Sequence, residues 1–206
     1  MEKFNPIDIR KYLNHKLIYS KLPQGEFGEE IGLDNTYILS SNIKFSSKEI
    51  LDNVCFCFSF GRFDNIVCNG QTITLNEIAT KIHFIGFAYW GDTNEFFKVV
   101  YEDLSVEMIK VPFIDWSHLP NNDKESINWY GENISRVKSV ITSGEDVTLI
   151  NIHHMYCEIN KNKKIKEIIF PENMFTHIFA MTLENENCHI KKQNREDKNN
   201  GNYQIK

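Results

Sequence analysis

The sequence contains no apolar run long enough to cross a bilayer. Its opening stretch, "MEKFNPIDIRKYLNHKLIYS", is charged throughout and holds no uninterrupted apolar segment of the kind a secretory leader carries. The location expected from these two absences is the cytoplasm, with no membrane partner. An excess of cations is missing as well. Lys and Arg number 23 against 28 Asp and Glu, for a formal net charge of -5. Phosphate binding is driven by clustered cations, which argues against nucleic acid as a general partner.

Cysteine is sparse, with five residues and so an odd number. Cys55 and Cys57 stand two apart and share one face of a strand, a placement unsuited to a mutual disulfide. No second cysteine pair at ligand spacing accompanies them, which leaves a zinc site without its ligands. All five read as reduced thiols. The catalytic signatures G-x-S-x-G, G-x-x-x-x-G-K-[ST], G-x-G-x-x-G and H-E-x-x-H are absent. No segment sustains a helical period, and "DIRKYLNH" offers a short helical turn at most. No internal repeat of fixed period is present.

What remains is aromatic and alternating. Aromatics make up 13% of the chain, with 15 Phe, a bias that favours strands and large sheet interfaces. In "VCFCFSF", Phe56, Phe58 and Phe60 share one face while Cys55, Cys57 and Ser59 share the other, which predicts an inner strand of a sandwich. "IHFIGFAYW" (82–90) and "FFKVVY" (96–101) predict a strand pair around the turn chemistry of "GDTNE". "VEMIKVPF" (106–113) predicts a strand whose Pro112 marks an edge or an end. "DVTLINIHHMYCEI" (146–159), "IKEIIF" and "THIFAMTLE" predict three more, with "KNKK" and "PENMF" as connections. About eight to ten short strands with turn signals between them indicate an all-β sandwich or barrel. The polar stretch 185–206 has little to bury and is expected to be a disordered tail behind a domain spanning 1–184.

"NIVCNGQTITL" resembles a segment of a β-sandwich accessory domain found in bacterial glycoside hydrolases. The similarity continues through "FIGFAYWGD", "VVYED" and "VPFIDW", and closes on "IIFPENMFTHIFAMTLE". The opening "IDIRKYLNHKLI" followed by "GLDNTYIL" also looks like the start of such domains. The collinear match runs from Ile7 to Glu184. The resemblance implies a jelly-roll-type sandwich of two antiparallel sheets, of the galactose-binding kind, and a link to carbohydrates.

Within such a sandwich, Asn69, Gly70 and Gln71 would form a tight connection. Gly70 suits a positive φ, and Gln71 can bond backbone groups left unpaired where a ladder breaks. The functional alternative is that Gln71 offers its amide to a sugar hydroxyl. Carbohydrate recognition needs a flat aromatic platform and a few polar groups in reach of the hydroxyls. Three segments supply them. "AYWGDTNE" brings Tyr89, Trp90 and Asp92; "FIDWSH" brings Asp115 and Trp116; "SINWYGEN" brings Trp129 and Tyr130. Every tryptophan in the chain falls in these segments, at strand ends or in loops, where sandwiches keep their binding surfaces. For each, the alternative is a plug over the end of the core.

Asp115 would either bond backbone at its strand end or hold a hydroxyl or a calcium ion, and calcium is the one cofactor left open. His153 and His154 are adjacent in a strand, so their rings point to opposite faces and cannot clamp one ion between them; one satisfied core histidine and one exposed one are expected. Asp92, Glu95, Asp115 and Glu132 are acidic and near aromatics, the raw material of a glycosidase, but nothing in their spacing pairs them. The function expected is non-catalytic carbohydrate or glycoside binding. The alternatives are a stand-alone structural module with a protein partner and, behind it, a carbohydrate-active enzyme.

Overall fold

The computed structural model describes residues 2–23, 32–118, 133–144 and 147–185. Among these, fifteen strands are present. In chain order they are β1 (Phe4–Pro6), β2 (Ile18–Tyr19), β3 (Thr36–Leu39), β4 (Lys48–Leu51), β5 (Val54–Cys57), β6 (Ile66–Val67), β7 (Thr72–Ile78) and β8 (Lys81–Ala88). There follow β9 (Thr93–Tyr101), β10 (Val106–Phe113), β11 (Ile134–Ile141), β12 (Ser143–Gly144), β13 (Leu149–Glu158), β14 (Lys164–Ile169) and β15 (Thr176–Glu184). Among the described residues, helix is confined to a 3-10 turn at Arg10–Tyr12, where "DIRKYLNH" predicts one, and to α1 (Ser40–Ile43), a single turn that no pattern in the sequence announces.

Two antiparallel sheets form the sandwich. The larger has six strands, ordered β1-β15-β8-β13-β11 with β6 attached to β15; the smaller has four, ordered β10-β9-β14-β7. Between them lies a core in which Phe84, Met155 and Met181 of the large sheet meet Phe97, Ile109, Phe113 and Ile168 of the small one. Strands of the small sheet alternate: β9 buries Phe97, Val99 and Tyr101 and turns Phe96 and Lys98 outward. That is the ordinary pattern for a sheet with one wet face.

The large sheet departs from alternation because it is covered on both faces. Its outer face carries a second core, in which Ile85, Phe87, Ile152 and Phe179 pack against Leu17, Ile38, Val54 and Phe56. The cover is built from two further small sheets, β12-β3-β2 and the hairpin β4-β5. Hence "IHFIGFA", "INIHHM" and "THIFAMTL" are almost unbroken in burial. A strand buried on both sides has no reason to alternate.

Two expectations are corrected. The strands on either side of "GDTNE", β8 and β9, are not a pair: they lie in different sheets, and the turn crosses between the layers. "VCFCFSF" is not an inner strand of the main sandwich. The strand ends at Cys57, belongs to the two-stranded hairpin, and buries Phe56 and Phe58 while Phe60 is 38% exposed. The hairpin turns through Asp52 and Asn53 at φ 50° and 64°, the left-handed pair that a two-residue turn between twisted strands requires.

The connection that contains Asn69, Gly70 and Gln71 links β6 of the large sheet to β7 of the small one, so it crosses between layers. Gly70 has φ 67°. Gln71 holds the crossing by its amide: Nε2 donates to the Val67 carbonyl at 2.7 Å and Oε1 accepts from the Asn69 N–H at 2.7 Å. The Gly70 N–H donates to the Pro171 carbonyl at 3.1 Å.

Candidate functional site

Strand β8 carries a polar constellation at each end. At its C-terminal end is the loop Tyr89–Asp92, and here the structure gathers five of the sequence-predicted residues. The Ala88 N–H donates to the Ile114 carbonyl and the Trp116 N–H to the Ala88 carbonyl, at 2.8 and 2.9 Å, which zips the segment after β10 onto the end of β8. Asp115 is 6% exposed. Its carboxylate accepts from the Gly91 N–H at 2.5 Å and from the Ser117 N–H and hydroxyl at 2.8 and 2.5 Å. Asp92 answers by accepting from the Asp115 N–H at 2.7 Å and meeting His118 Nδ1 at 3.0 Å. The two carboxylates therefore brace each other's loops.

The tryptophans of this end separate into two kinds. Trp116 is 8% exposed and joins the second core, packed against Phe87 and edge-on to Tyr89. Trp90 is 74% exposed, and its backbone has φ 73°. Left-handed backbone in a bulky residue is costly and persists only where the surroundings enforce it. Here they do: Tyr89 N–H is held by the Phe175 carbonyl at 2.8 Å and Gly91 N–H by Asp115. The Trp90 ring lies nearly parallel to the half-exposed Phe175 ring, 29° apart with centroids at 6.4 Å, and Tyr89 stands edge-on at 6.0 Å. The Tyr89 hydroxyl donates to Asp34. Trp129, Tyr130 and Glu132 lie outside the described residues, and Gln71 is placed at the β6–β7 crossing, bonded as above. Glu95 is 5% exposed and accepts from Thr93 Oγ1 and Asn173 Nδ2.

The opposite end of β8 holds a constellation that sequence reasoning missed. On the outer face of the large sheet, His83 of β8 and His154 of β13 meet with Nδ1 to Nε2 at 2.9 Å. The remaining nitrogen of His83 reaches Glu184 of β15 at 3.1 Å, and that of His154 reaches Asp52 in the β4–β5 turn at 2.9 Å. Ser135 of β11 donates its hydroxyl to the same Asp52 oxygen. Lys3 and Lys81 approach Glu184 at 3.1 and 3.9 Å. Burial works against the Glu184 charge, and the Lys3 and His83 contacts overcome it, holding the carboxyl below its usual value. The chain floors a cleft of about 440 Å³, bordered also by Phe4, Asn133 and Tyr156.

His153 and His154 do point to opposite faces, but neither is the exposed one expected: they are 0% and 5% exposed. Among the described residues His153 has no hydrogen-bond partner at either ring nitrogen, and burial pushes its pKa down to about 4. Among the described residues, no group of three or more His, Cys, Asp and Glu side chains is placed to hold a metal ion. No helix there is long and apolar enough to cross a membrane.

Two facing antiparallel sheets around one core define a β-sandwich protein. Within that class the chain belongs to the AziU2-like beta-sandwich domain family, which matches it over residues 35–187. No curated protein matches the chain. The family match supports the sandwich that the resemblance implies and says nothing of glycoside hydrolases.

Proposed function

We propose that this protein is a non-catalytic binding module whose ligand is a carbohydrate stacked on Trp90. The observation that carries this reading is the exposure of Trp90 in a backbone conformation that only bracing by Asp115 and the Phe175 carbonyl sustains. A plug over the core would be buried, as Trp116 is. A platform must instead be held outward and rigid, because a ring that orders only on binding loses affinity to entropy. Phe175 widens the apolar surface, and His118, paired with Asp92, puts a polar edge beside the loop. The non-catalytic part rests on the same geometry: Asp115 and Glu95 are buried and accept hydrogen bonds from neighbouring loops, through Gly91 and Asn173, which suits bracing rather than proton transfer to a sugar.

A protein-interaction role is the second reading. It is favoured by the outer face of the small sheet, where Phe96, Val106 and Met108 are at least half exposed beside Lys98 and Lys110. A glycan array on the purified protein, run with and without calcium, tests the first reading. Binding of a defined glycan by the wild type that Trp90→Ala weakens by roughly 1–3 kcal/mol is the expected result. No bound glycan, or equal binding by the variant, favours the second.

A further inference from the structure

The histidine chain at the other end of β8 poses a problem in proton counting. The path Asp52–His154–His83–Glu184 contains three contacts, at 2.9, 2.9 and 3.1 Å. Ionised carboxylates only accept, so each end of the path must receive an N–H from its imidazole. A neutral imidazole has one N–H. Two neutral imidazoles therefore commit both protons to the carboxylates, and the central contact is left with two facing lone pairs at 2.9 Å. Such a contact repels unless something lies between them.

We propose that His83 and His154 bind one further proton from solvent and share it across their central contact, forming a charged clamp that fixes the β4–β5 turn to the large sheet. The clamp is independent of any carbohydrate bound at Trp90. It carries one positive charge between two negative ones, so the low-dielectric setting that penalises a lone imidazolium is offset on both sides. Burial opposes the charge: it pushes His83 down to about 4 against the pull of Glu184, and pushes His154 down against the pull of Asp52. Lys81 and Lys3, beside Glu184, oppose the proton as well, while Tyr156 and Ser135 are neutral neighbours. The unprotonated central contact is the cost that outweighs these.

The consequence is mechanical. The β4–β5 hairpin covers the second core with Val54 and Phe56, and its middle is pinned by the Thr182 hydroxyl donating to the Cys55 carbonyl at 2.7 Å. Its turn is tied down through Asp52, by His154 and Ser135. When rising pH takes the shared proton, His154 keeps its N–H on Asp52 and His83 keeps its own on Glu184, and the chain opens at its centre, so the turn with His154 is no longer tied through His83 to Glu184.

A single substitution isolates the proton. Asp52→Asn places a donor where the acceptor stood, so the chain can run from the new amide through His154 and His83 to Glu184 with each imidazole neutral and every contact filled. Asparagine also tolerates the φ of 50° at this position. Ring ¹⁵N NMR near neutral pH should show one shared imidazolium on the wild-type pair and two neutral rings in Asp52→Asn. Proton affinity of the pair should fall at least about tenfold in the variant, one pKa unit. His153 and His177, buried and neutral, serve as internal references. Should Asp52→Asn not fold, Glu184→Gln makes the same exchange from the other end. Two neutral rings in the wild type near neutral pH overturn the proposal. So does an imidazolium that persists unchanged in the variant.

Discussion

The two ends of β8 use the same residue types for different ends. At the tryptophan end, carboxylates accept from backbone N–H groups close to them in the fold: Asp115 takes Gly91 and Ser117, and Asp92 takes Asp115. At the histidine end they accept from imidazoles brought from elsewhere in the chain, Asp52 from His154 and Glu184 from His83. The first arrangement freezes a loop and leaves an aromatic ring in solvent. The second gathers ionisable groups under cover. A backbone N–H cannot change its charge, so these donors to Asp115 and Asp92 are the same at every pH. The imidazoles that donate at the histidine end can gain or lose a charge.

The largest effect should appear on acidification, and it comes from His153 and His177, which pair with Gly86 and Phe87 near the tryptophan end of β8 and stand outside the His83–His154 chain. Burial holds His153 at about 4 and His177 at about 3, with His15 adding to the depression of His177. Their unfolded value is near 6.5. Between those limits the unfolded chain binds more protons than the folded one, so stability rises with pH and is lost as pH falls below about 6.5. Each histidine should withdraw on the order of 3 kcal/mol by about pH 4. Denaturant midpoints measured across that range check the loss. His153→Leu should flatten the slope, since neither nitrogen of His153 has a partner to lose among the described residues. A slope identical to wild type would show that His153 is protonated in the folded state.

Within the tryptophan end, Trp116→Ala should cost about 3–5 kcal/mol, the usual penalty for emptying a buried aromatic site. Trp116 fills the second core beside Phe87 and Tyr89. A shift under about 1 kcal/mol in urea unfolding would place Trp116 with Trp90 as a surface residue.

The contrast also accounts for what the sequence made visible. Alternation in "FFKVVY" and "VEMIKVPF" marks the small sheet correctly because one of its faces is wet. The same rule misplaces "VCFCFSF", since a hairpin lying on a covered face alternates like a strand of the main sandwich. It passes over β11, whose "ISRVKSVI" fully buries one residue and reads as polar. The segments of Trp90 and Trp116 are legible because their polar and aromatic residues adjoin in sequence. The histidine chain is not. His83 and His154 stand 71 positions apart, and His83 and Glu184 stand 101 apart. Only the pairing of β8 with both β13 and β15 brings them together. A histidine in an unbroken apolar run is the available signal, and the contiguous His153-His154 draws attention to the wrong pairing.

A smaller effect separates bracing from binding at Asp115. Asp115→Asn puts an NH₂ group where one of the N–H donors now points, leaving a buried group unsatisfied at about 1–3 kcal/mol. Thermal or chemical unfolding should register that loss, and calcium should not restore it. Calcium-dependent stability in the wild type that vanishes in Asp115→Asn would make the carboxylate a metal ligand instead.

The smallest expected change is the most informative for function. Trp90 is 74% exposed, so Trp90→Ala should move stability by no more than about 0.5 kcal/mol, the range of ordinary surface substitutions. It should even relieve some cost, because alanine bears a left-handed backbone with less side chain to accommodate, although glycine would bear it better. Trp90→Gly is therefore expected to match or exceed the wild type in unfolding free energy while losing the stacked ring. A residue whose removal leaves the fold as stable as before is not there for the fold. If both variants instead destabilise the protein by more than about 2 kcal/mol, the ring is a structural lid over Phe175, and the platform reading of this loop fails with it.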